Sequence, residues 1–253
     1  MPGRLRLAVL LAALLPGVLF AEDIITVAVA SNFTTTAREL ADAYTRHTVV
    51  SVRLSIGSTG KLYAQIINGA PFDVFLAADS ERPRLLEQSG HAVKGTRTTY
   101  ALGALVLWSR DERLRGRDCR KVLYDGNYAR LAIANPDTAP YGTATREVLS
   151  AMGIWSAASE RAVFGENIVQ TLQFTATGNA TMGFIARSQA GHPGLPGATC
   201  TWQVPGSLHK PLQQQLVLLT RSATSNSARR FVDFLGTAEA GTIITRSGYG
   251  VPR

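Results

Sequence analysis

Four short groups of neutral hydrogen-bonding residues stand where a predicted strand ends or a predicted helix begins. They are Ser31 and Asn32, and residues 57–60, 141–143 and 167–169. A helix N-terminus has unpaired N–H groups and the positive end of a dipole, so several of them facing one cleft would bind an anion. Each group alone is better explained as an ordinary helix cap, because Ser, Thr and Asn are preferred there. The combination predicts an anion site built without charged side chains.

The sequence GSTGK at residues 57–61 is compatible with two motifs of phosphate or acyl chemistry. A phosphate-binding loop would have Gly at position 55 and Ser or Thr at position 62, where this chain has Ser55 and Leu62. Ser58 and Lys61 match the S-x-x-K pattern of serine acyl-transfer enzymes, although the companion S-D-N and K-T-G sequences are absent. Acyl transfer therefore remains the enzyme alternative to binding.

The cysteine and histidine residues do not indicate a metal site. Cys119 and Cys200 are too few and too far apart for cysteine ligation, and the four histidines are scattered along the chain. In an oxidising compartment the two cysteines would form a disulfide, and the alternative is two separate buried thiols.

The N-terminus has the layout of a signal peptide. Arg4 and Arg6 precede an apolar stretch over residues 7–20 that is shorter than a membrane span, and we expect cleavage after Ala21. An uncleaved anchor is the alternative. Residues 1–21 contain two arginines and no acidic residue, so the formal charge of +8 falls to +6 after cleavage. Export makes nucleic acid an improbable partner for this basic protein, and we expect none.

The elements that would position these groups alternate between strands and helices. Apolar runs predict strands at residues 24–30, 49–56, 74–77, 104–108, 131–134, 182–186 and 215–220, with amphipathic helices between them. This order predicts an α/β fold whose ligand lies beyond the carboxyl ends of parallel strands. We expect two lobes, residues 22–100 with 204–253 and residues 101–203. A single doubly wound domain is the alternative.

Four segments of the chain resemble the periplasmic molybdate-binding proteins that serve ABC importers. They are ASNF, GSTGKLYAQIINGAPFDVFLAAD, IANPDTAPYG and GENIVQ, and the resemblance extends over the whole mature chain. It implies a two-lobed binding protein of type II whose cleft closes over a dehydrated tetrahedral oxyanion, with no covalent chemistry and no cofactor. It also implies a monomer that delivers molybdate, and also tungstate, to a membrane permease. Binding of a smaller oxyanion such as sulfate by the same fold is the alternative.

The resemblance also implies a ligand set made of neutral donors. It comprises Ser31, Asn32, Ser58, Thr59, Tyr141 and Val169, the last through its main-chain N–H. Some members have Tyr at the position of Ala186 and a small residue at the position of Tyr141, whereas this chain has the reverse. The hydroxyl of Tyr141 is therefore expected to approach the ligand from another direction.

Overall fold

The apolar runs of the sequence form two separate five-stranded sheets in the computed structural model, which describes residues 23–192 and 194–252. The strands are β1 (Asp23–Ala30), β2 (Val50–Gly57), β3 (Val74–Leu76), β4 (Thr98–Gly103), β5 (Leu105–Ser109), β6 (Leu131–Ala134), β7 (Ala162–Gly165), β8 (Met182–Ala186), β9 (Cys200–Gln203) and β10 (Leu212–Leu218). The order is β2-β1-β3-β10-β4 in the first sheet and β7-β6-β8-β5-β9 in the second. This confirms the predicted two-lobed α/β class and excludes a single wide sheet.

Ten helices of the described residues flank these sheets. They are α1 (Thr34–His47), α2 (Thr59–Ile67), α3 (Glu81–Gln88), α4 (Cys119–Tyr124), α5 (Pro140–Ala151), α6 (Trp155–Glu160), α7 (Ile168–Ala176), α8 (Arg187–Ala190), α9 (Asn226–Leu235) and α10 (Ala238–Arg246). None of the described helices is long and apolar enough to cross a membrane. The predicted signal peptide, residues 1–21, lies outside the described residues.

The first sheet is mixed because the chain returns to it after building the second. Strands β1, β2 and β3 are parallel, whereas β10 inserts antiparallel between β3 and β4. The C-terminal segment follows, and Gly250 pairs with Leu102 of β4. Helices α9 and α10 pack their apolar residues into the core beneath β1. Segments that are distant in sequence therefore build one lobe.

Three strands were not predicted from the sequence. Strands β4, β7 and β9 each lie at the edge of a sheet. An edge strand is partly exposed to solvent, so polar residues interrupt its apolar run, as in β4 and β9. Strand β7 is apolar but only four residues long, and its Phe164 is exposed. The buried central strands, in contrast, were recognised from composition because both faces are covered.

A disulfide links the two cysteines inside the second lobe. Cys119 is the first residue of α4 and Cys200 is the first residue of β9, and their Cα atoms are 5.6 Å apart. Both residues belong to the buried core of this lobe. The predicted disulfide is therefore present, in place of two separate thiols.

Candidate anion-binding site

A small cavity lies between the sheets where four helix N-termini meet. The residues that line it are Ala30, Ser31, Asn32, Ser58, Thr59, Ala78, Ala139, Pro140, Tyr141 and Ile168. Most of them come from the turn before α1 and from the starts of α2, α5 and α7, whereas Ala30 ends β1 and Ala78 follows β3. Among these described lining residues none carries a charge, so the cavity offers dipoles and hydroxyl groups rather than countercharges.

The cavity is small, about 10 Å³ in volume. Beside it lies a much wider groove of about 1100 Å³, to which Ser31 and Asn32 also contribute. Ser31 and Asn32 therefore lie where the small cavity adjoins the groove.

Ser58 and Thr59 each have a hydroxyl oxygen that already accepts a hydrogen bond from the protein. Thr59 Oγ1 accepts from the N–H of Ala78 at 3.1 Å, and Ser58 Oγ accepts from the N–H of Lys61 at 3.4 Å. A hydroxyl has a single proton, and neither bond uses it. Both groups therefore keep a proton that they can donate into the cavity.

Tyr141 is held in the same donor state. Its side chain is 1% exposed, and its hydroxyl oxygen accepts from Gln214 Nε2 at 3.3 Å. Burial raises the pKa of Tyr141 well above its usual value of 10.0, because the charged form would lose its hydration. Tyr141 is therefore a neutral O–H donor over the whole physiological pH range.

Ser31 and Asn32 differ in whether their side chains still have a hydrogen-bond donor for a ligand. The Ser31 hydroxyl has no hydrogen-bond partner within the described part of the chain. Asn32 Nδ2, in contrast, donates to Gln214 Oε1 at 2.9 Å and to the Tyr249 hydroxyl at 3.1 Å. An amide nitrogen has two protons, so the Asn32 side chain has no donor left. Asn32 can contribute to an anion through its main-chain N–H.

The structure does not bring Val169 to the wall of this cavity. Its neighbour Ile168 lines the cavity, whereas Val169 lines the wider groove. The Val169 N–H is 2.9 Å from Asn167 Oδ1, which caps α7. The five other residues of the predicted set do meet here. Ala186 is buried at the end of β8 and is not a lining residue, so Tyr141 is the tyrosine at the cavity.

Lys61 does not take the position of a catalytic base. Its ammonium group pairs with Glu166 of the second lobe at 3.0 Å. The Lys61 group that contacts Ser58 is its main-chain N–H, as the cap of α2. The S-x-x-K pattern therefore has a structural reason in this chain, since Ser58 caps a helix and Lys61 bridges the lobes.

Three contacts beside the cavity hold the two lobes together. The N–H of Gly60 donates to the carbonyl oxygen of Thr138 at 2.8 Å. Arg82 Nη2 donates to the carbonyl oxygen of Asp137 at 3.1 Å, and the third contact is the ion pair of Lys61. All three join the first lobe to the second, so the lobes are in contact beside the cavity in this structure.

Sequence reasoning missed the polar residues behind the cavity. Gln214, Tyr100 and Tyr249 are buried and hydrogen-bonded to one another or to Asn32. Burial raises the pKa of Tyr249 to about 12. One signal in the sequence could have found Gln214, because Gln213, Gln214 and Gln215 interrupt a strand whose other residues are apolar, and a polar residue there needs a partner.

Comparisons with known proteins agree with this geometry. Residues 25–250 match the family model described as bacterial extracellular solute-binding protein. The chain is 43% identical over 227 residues to the molybdate-binding protein ModA of Azotobacter vinelandii, and this alignment covers 90% of each protein. It is 40% identical to ModA of Rhodobacter capsulatus, over 98% of this chain and 95% of that relative.

A solved structure is also similar over its full length. The periplasmic molybdate-binding protein of Azotobacter vinelandii superposes with a TM-score of 0.84 at 36% identity, covering 90% of this chain and 100% of that one. The similarity therefore includes both lobes and the cleft between them.

Proposed function

Because this chain belongs to the bacterial extracellular solute-binding proteins, and among them to the molybdate-binding proteins, we propose that it captures molybdate between its lobes and delivers it to the permease of an ABC transporter. Tungstate, a tetrahedral dianion of the same charge, is a second ligand. Residues 1–21 direct export and are removed, and the mature protein acts in the periplasm. The lobes comprise residues 22–100 with 204–253 and residues 101–203.

The observation that carries this proposal is the composition of the cavity wall. Hydroxyl groups and helix N-termini converge there, and no charged side chain is among the described lining residues. Fixed N–H and O–H dipoles can replace the hydration shell of an anion, and the helix ends spread its charge. The hydroxyl oxygens of Ser58, Thr59 and Tyr141 already accept hydrogen bonds from the protein, so these groups are set to donate to a ligand. The cavity wall therefore favours fully deprotonated oxyanions over protonated phosphate.

The hydroxyl groups of Ser31, Ser58, Thr59 and Tyr141 are the side-chain ligands in this proposal, and Asn32 contributes its main-chain N–H. At the start of α7 the residue that lines the cavity is Ile168, whose main-chain N–H is the donor in this proposal. Val169 N–H can serve in addition if Asn167 Oδ1 releases it, since the two are hydrogen-bonded in this structure. The relatives are solute-binding proteins, in agreement with a binding site rather than an enzyme.

Titration calorimetry of the mature protein with molybdate, tungstate, sulfate and phosphate tests this function. We expect strong binding of molybdate and tungstate and much weaker binding of sulfate, since the cavity must match the larger anions in size. The absence of heat with both heavier anions would overturn the proposal. Tight binding of sulfate alone would support the smaller-oxyanion alternative.

Removing single hydroxyl donors tests the site. We expect Ser31→Ala and Thr59→Ala each to weaken molybdate binding by about 1 to 3 kcal/mol, the usual cost of losing a hydrogen bond to a charged group. Calorimetry measures the change. Thr242→Ala, which removes an exposed hydroxyl on α10, is the matched control and should bind like the unmodified protein. Unchanged affinity in both site variants would remove Ser31 and Thr59 from the ligand set.

A further inference from the structure

Gln214 lies at the centre of the hydrogen bonds behind the cavity. It is fully buried in β10. The pairing of β10 with β4 shifts by one residue between Gln214 and Gln215, so Tyr100 of β4 has no partner residue in the strand register. Gln214 Oε1 is 2.9 Å from Asn32 Nδ2 and 3.2 Å from the Tyr100 hydroxyl. Gln214 Nε2 donates to the Tyr141 hydroxyl. One side chain therefore contacts two of the predicted ligand residues.

The direction of these bonds is fixed by a main-chain carbonyl. The Tyr249 hydroxyl is 2.7 Å from the carbonyl oxygen of Asn32, which cannot donate, so Tyr249 must donate to it. The Tyr249 oxygen then accepts from the Asn32 side chain, which must present Nδ2. The same Nδ2 faces Gln214, which must present Oε1 and so turns Nε2 towards Tyr141.

The hydrogen bond from Gln214 to Tyr141, the last in this series, determines where the Tyr141 proton points. Because Gln214 Nε2 occupies the Tyr141 oxygen as a donor, the tyrosine proton has to be given to another acceptor. Gln214 and Tyr141 are closely packed against Gly103. A Cβ atom at Gly103 would lie 2.4 Å from the Tyr141 hydroxyl oxygen and 2.9 Å from Gln214 Nε2, so the glycine makes room for the pair.

We infer that Gln214 is a positioning residue that makes Tyr141 an obligate hydrogen-bond donor to the oxyanion and so contributes to the rejection of protonated ligands. The inference rests on the proposed function, because it concerns the same cavity. Gln214 belongs to the first lobe and Tyr141 to the second, so the donor is oriented when the lobes close.

A double-mutant cycle tests this role. Gln214→Met keeps the size of the side chain and removes its donor and acceptor, and we expect molybdate affinity to fall about tenfold. In a Tyr141→Phe background the same change should cost less than about twofold, because the hydroxyl that Gln214 orients is gone. An equal loss in both backgrounds would overturn the inference and leave Gln214 a structural role. Gln213→Met, on the exposed neighbour in β10, is the matched control.

Two further variants keep the test decisive if Gln214→Met does not fold. Tyr249→Phe removes the hydrogen bond to the Asn32 carbonyl oxygen but keeps the ring that packs against Phe33. The loss of molybdate affinity that it causes should also be smaller in the Tyr141→Phe background than in the unmodified protein. Gln214→Glu should bind almost normally near about pH 5, where a buried carboxyl is protonated and can donate. It should lose affinity towards about pH 8, where the carboxylate would accept the Tyr141 proton. A flat pH profile for Gln214→Glu contradicts the inference.

Failure of this inference is distinguishable from failure of the proposed function. Unmodified protein that binds neither molybdate nor tungstate overturns the function. Unmodified protein that binds molybdate, with no coupling between Gln214 and Tyr141, overturns the positioning role alone.

Discussion

Gly60→Ala is expected to weaken molybdate binding at least 100-fold, which corresponds to about 2.7 kcal/mol. Gly60 is the second residue of α2, and a Cβ atom there would lie 2.9 Å from the carbonyl oxygen of Thr138 and 3.0 Å from its Cα. Both atoms belong to the main chain of the other lobe and cannot turn away. The methyl group would therefore hold the lobes apart, and overpacking of this kind is costly by itself.

The same substitution should leave the first lobe intact. Alanine favours a helix more than glycine does, and the Cβ atom meets nothing else closer than Arg82 Nη2 at 3.1 Å, the end of a flexible side chain. We therefore expect an unchanged or slightly higher melting temperature without ligand, together with the loss of affinity. Small-angle scattering with saturating molybdate should show a more extended particle than the unmodified protein.

Gly241→Ala is the matched control for this prediction. Gly241 is also a helical glycine, in α10, and a Cβ atom there has no neighbour within 4 Å among the described residues. This variant should bind molybdate normally and close normally. Normal affinity in Gly60→Ala would show that the contact with Thr138 is not needed for the bound state.

Removal of the disulfide is expected to lower the free energy of unfolding of the second lobe by about 2 to 5 kcal/mol. The bridge joins residues 81 apart in sequence, and a long closed loop restricts the unfolded chain strongly. Cys119 and Cys200 are 1% and 7% exposed, so serine at these positions also places a hydroxyl in the core. Alanine at both positions is the cleaner change, and thermal or urea unfolding measures it.

The Cys119→Ala, Cys200→Ala double variant should still bind molybdate, because neither position lines the cavity. Treating the unmodified protein with a reductant should lower its melting temperature by a similar amount, and the same treatment should not affect the double variant. Equal melting temperatures of the oxidised protein and the double variant would contradict the stabilising role.

The sequence was sufficient for the elements in which composition and spacing carry the information. Strand β1 was recognised from a run that is apolar except for Thr26, because both faces of the strand are largely covered. The position of neutral donors at strand ends and helix starts indicated an anion site, and the family resemblance supplied the individual residues. Ser31, Asn32, Ser58, Thr59 and Tyr141 line one cavity, whereas Val169 does not.

The sequence was not sufficient where the partner of a residue lies far away in the chain. Gln214 is 182 residues from Asn32 and 73 from Tyr141, and no local spacing connects them. The same reason applies to Gly60, whose importance comes from Thr138 in the other lobe.

By itself, the sequence determined that this is an α/β protein with neutral donors at its helix starts, since burial and helix capping are local properties of the chain. The tertiary structure alone decided the direction in which each hydroxyl donates. A hydroxyl can donate or accept until its neighbours are fixed, and the chain of bonds from the Asn32 carbonyl through Tyr249 and Gln214 to Tyr141 exists once the fold has brought these residues together.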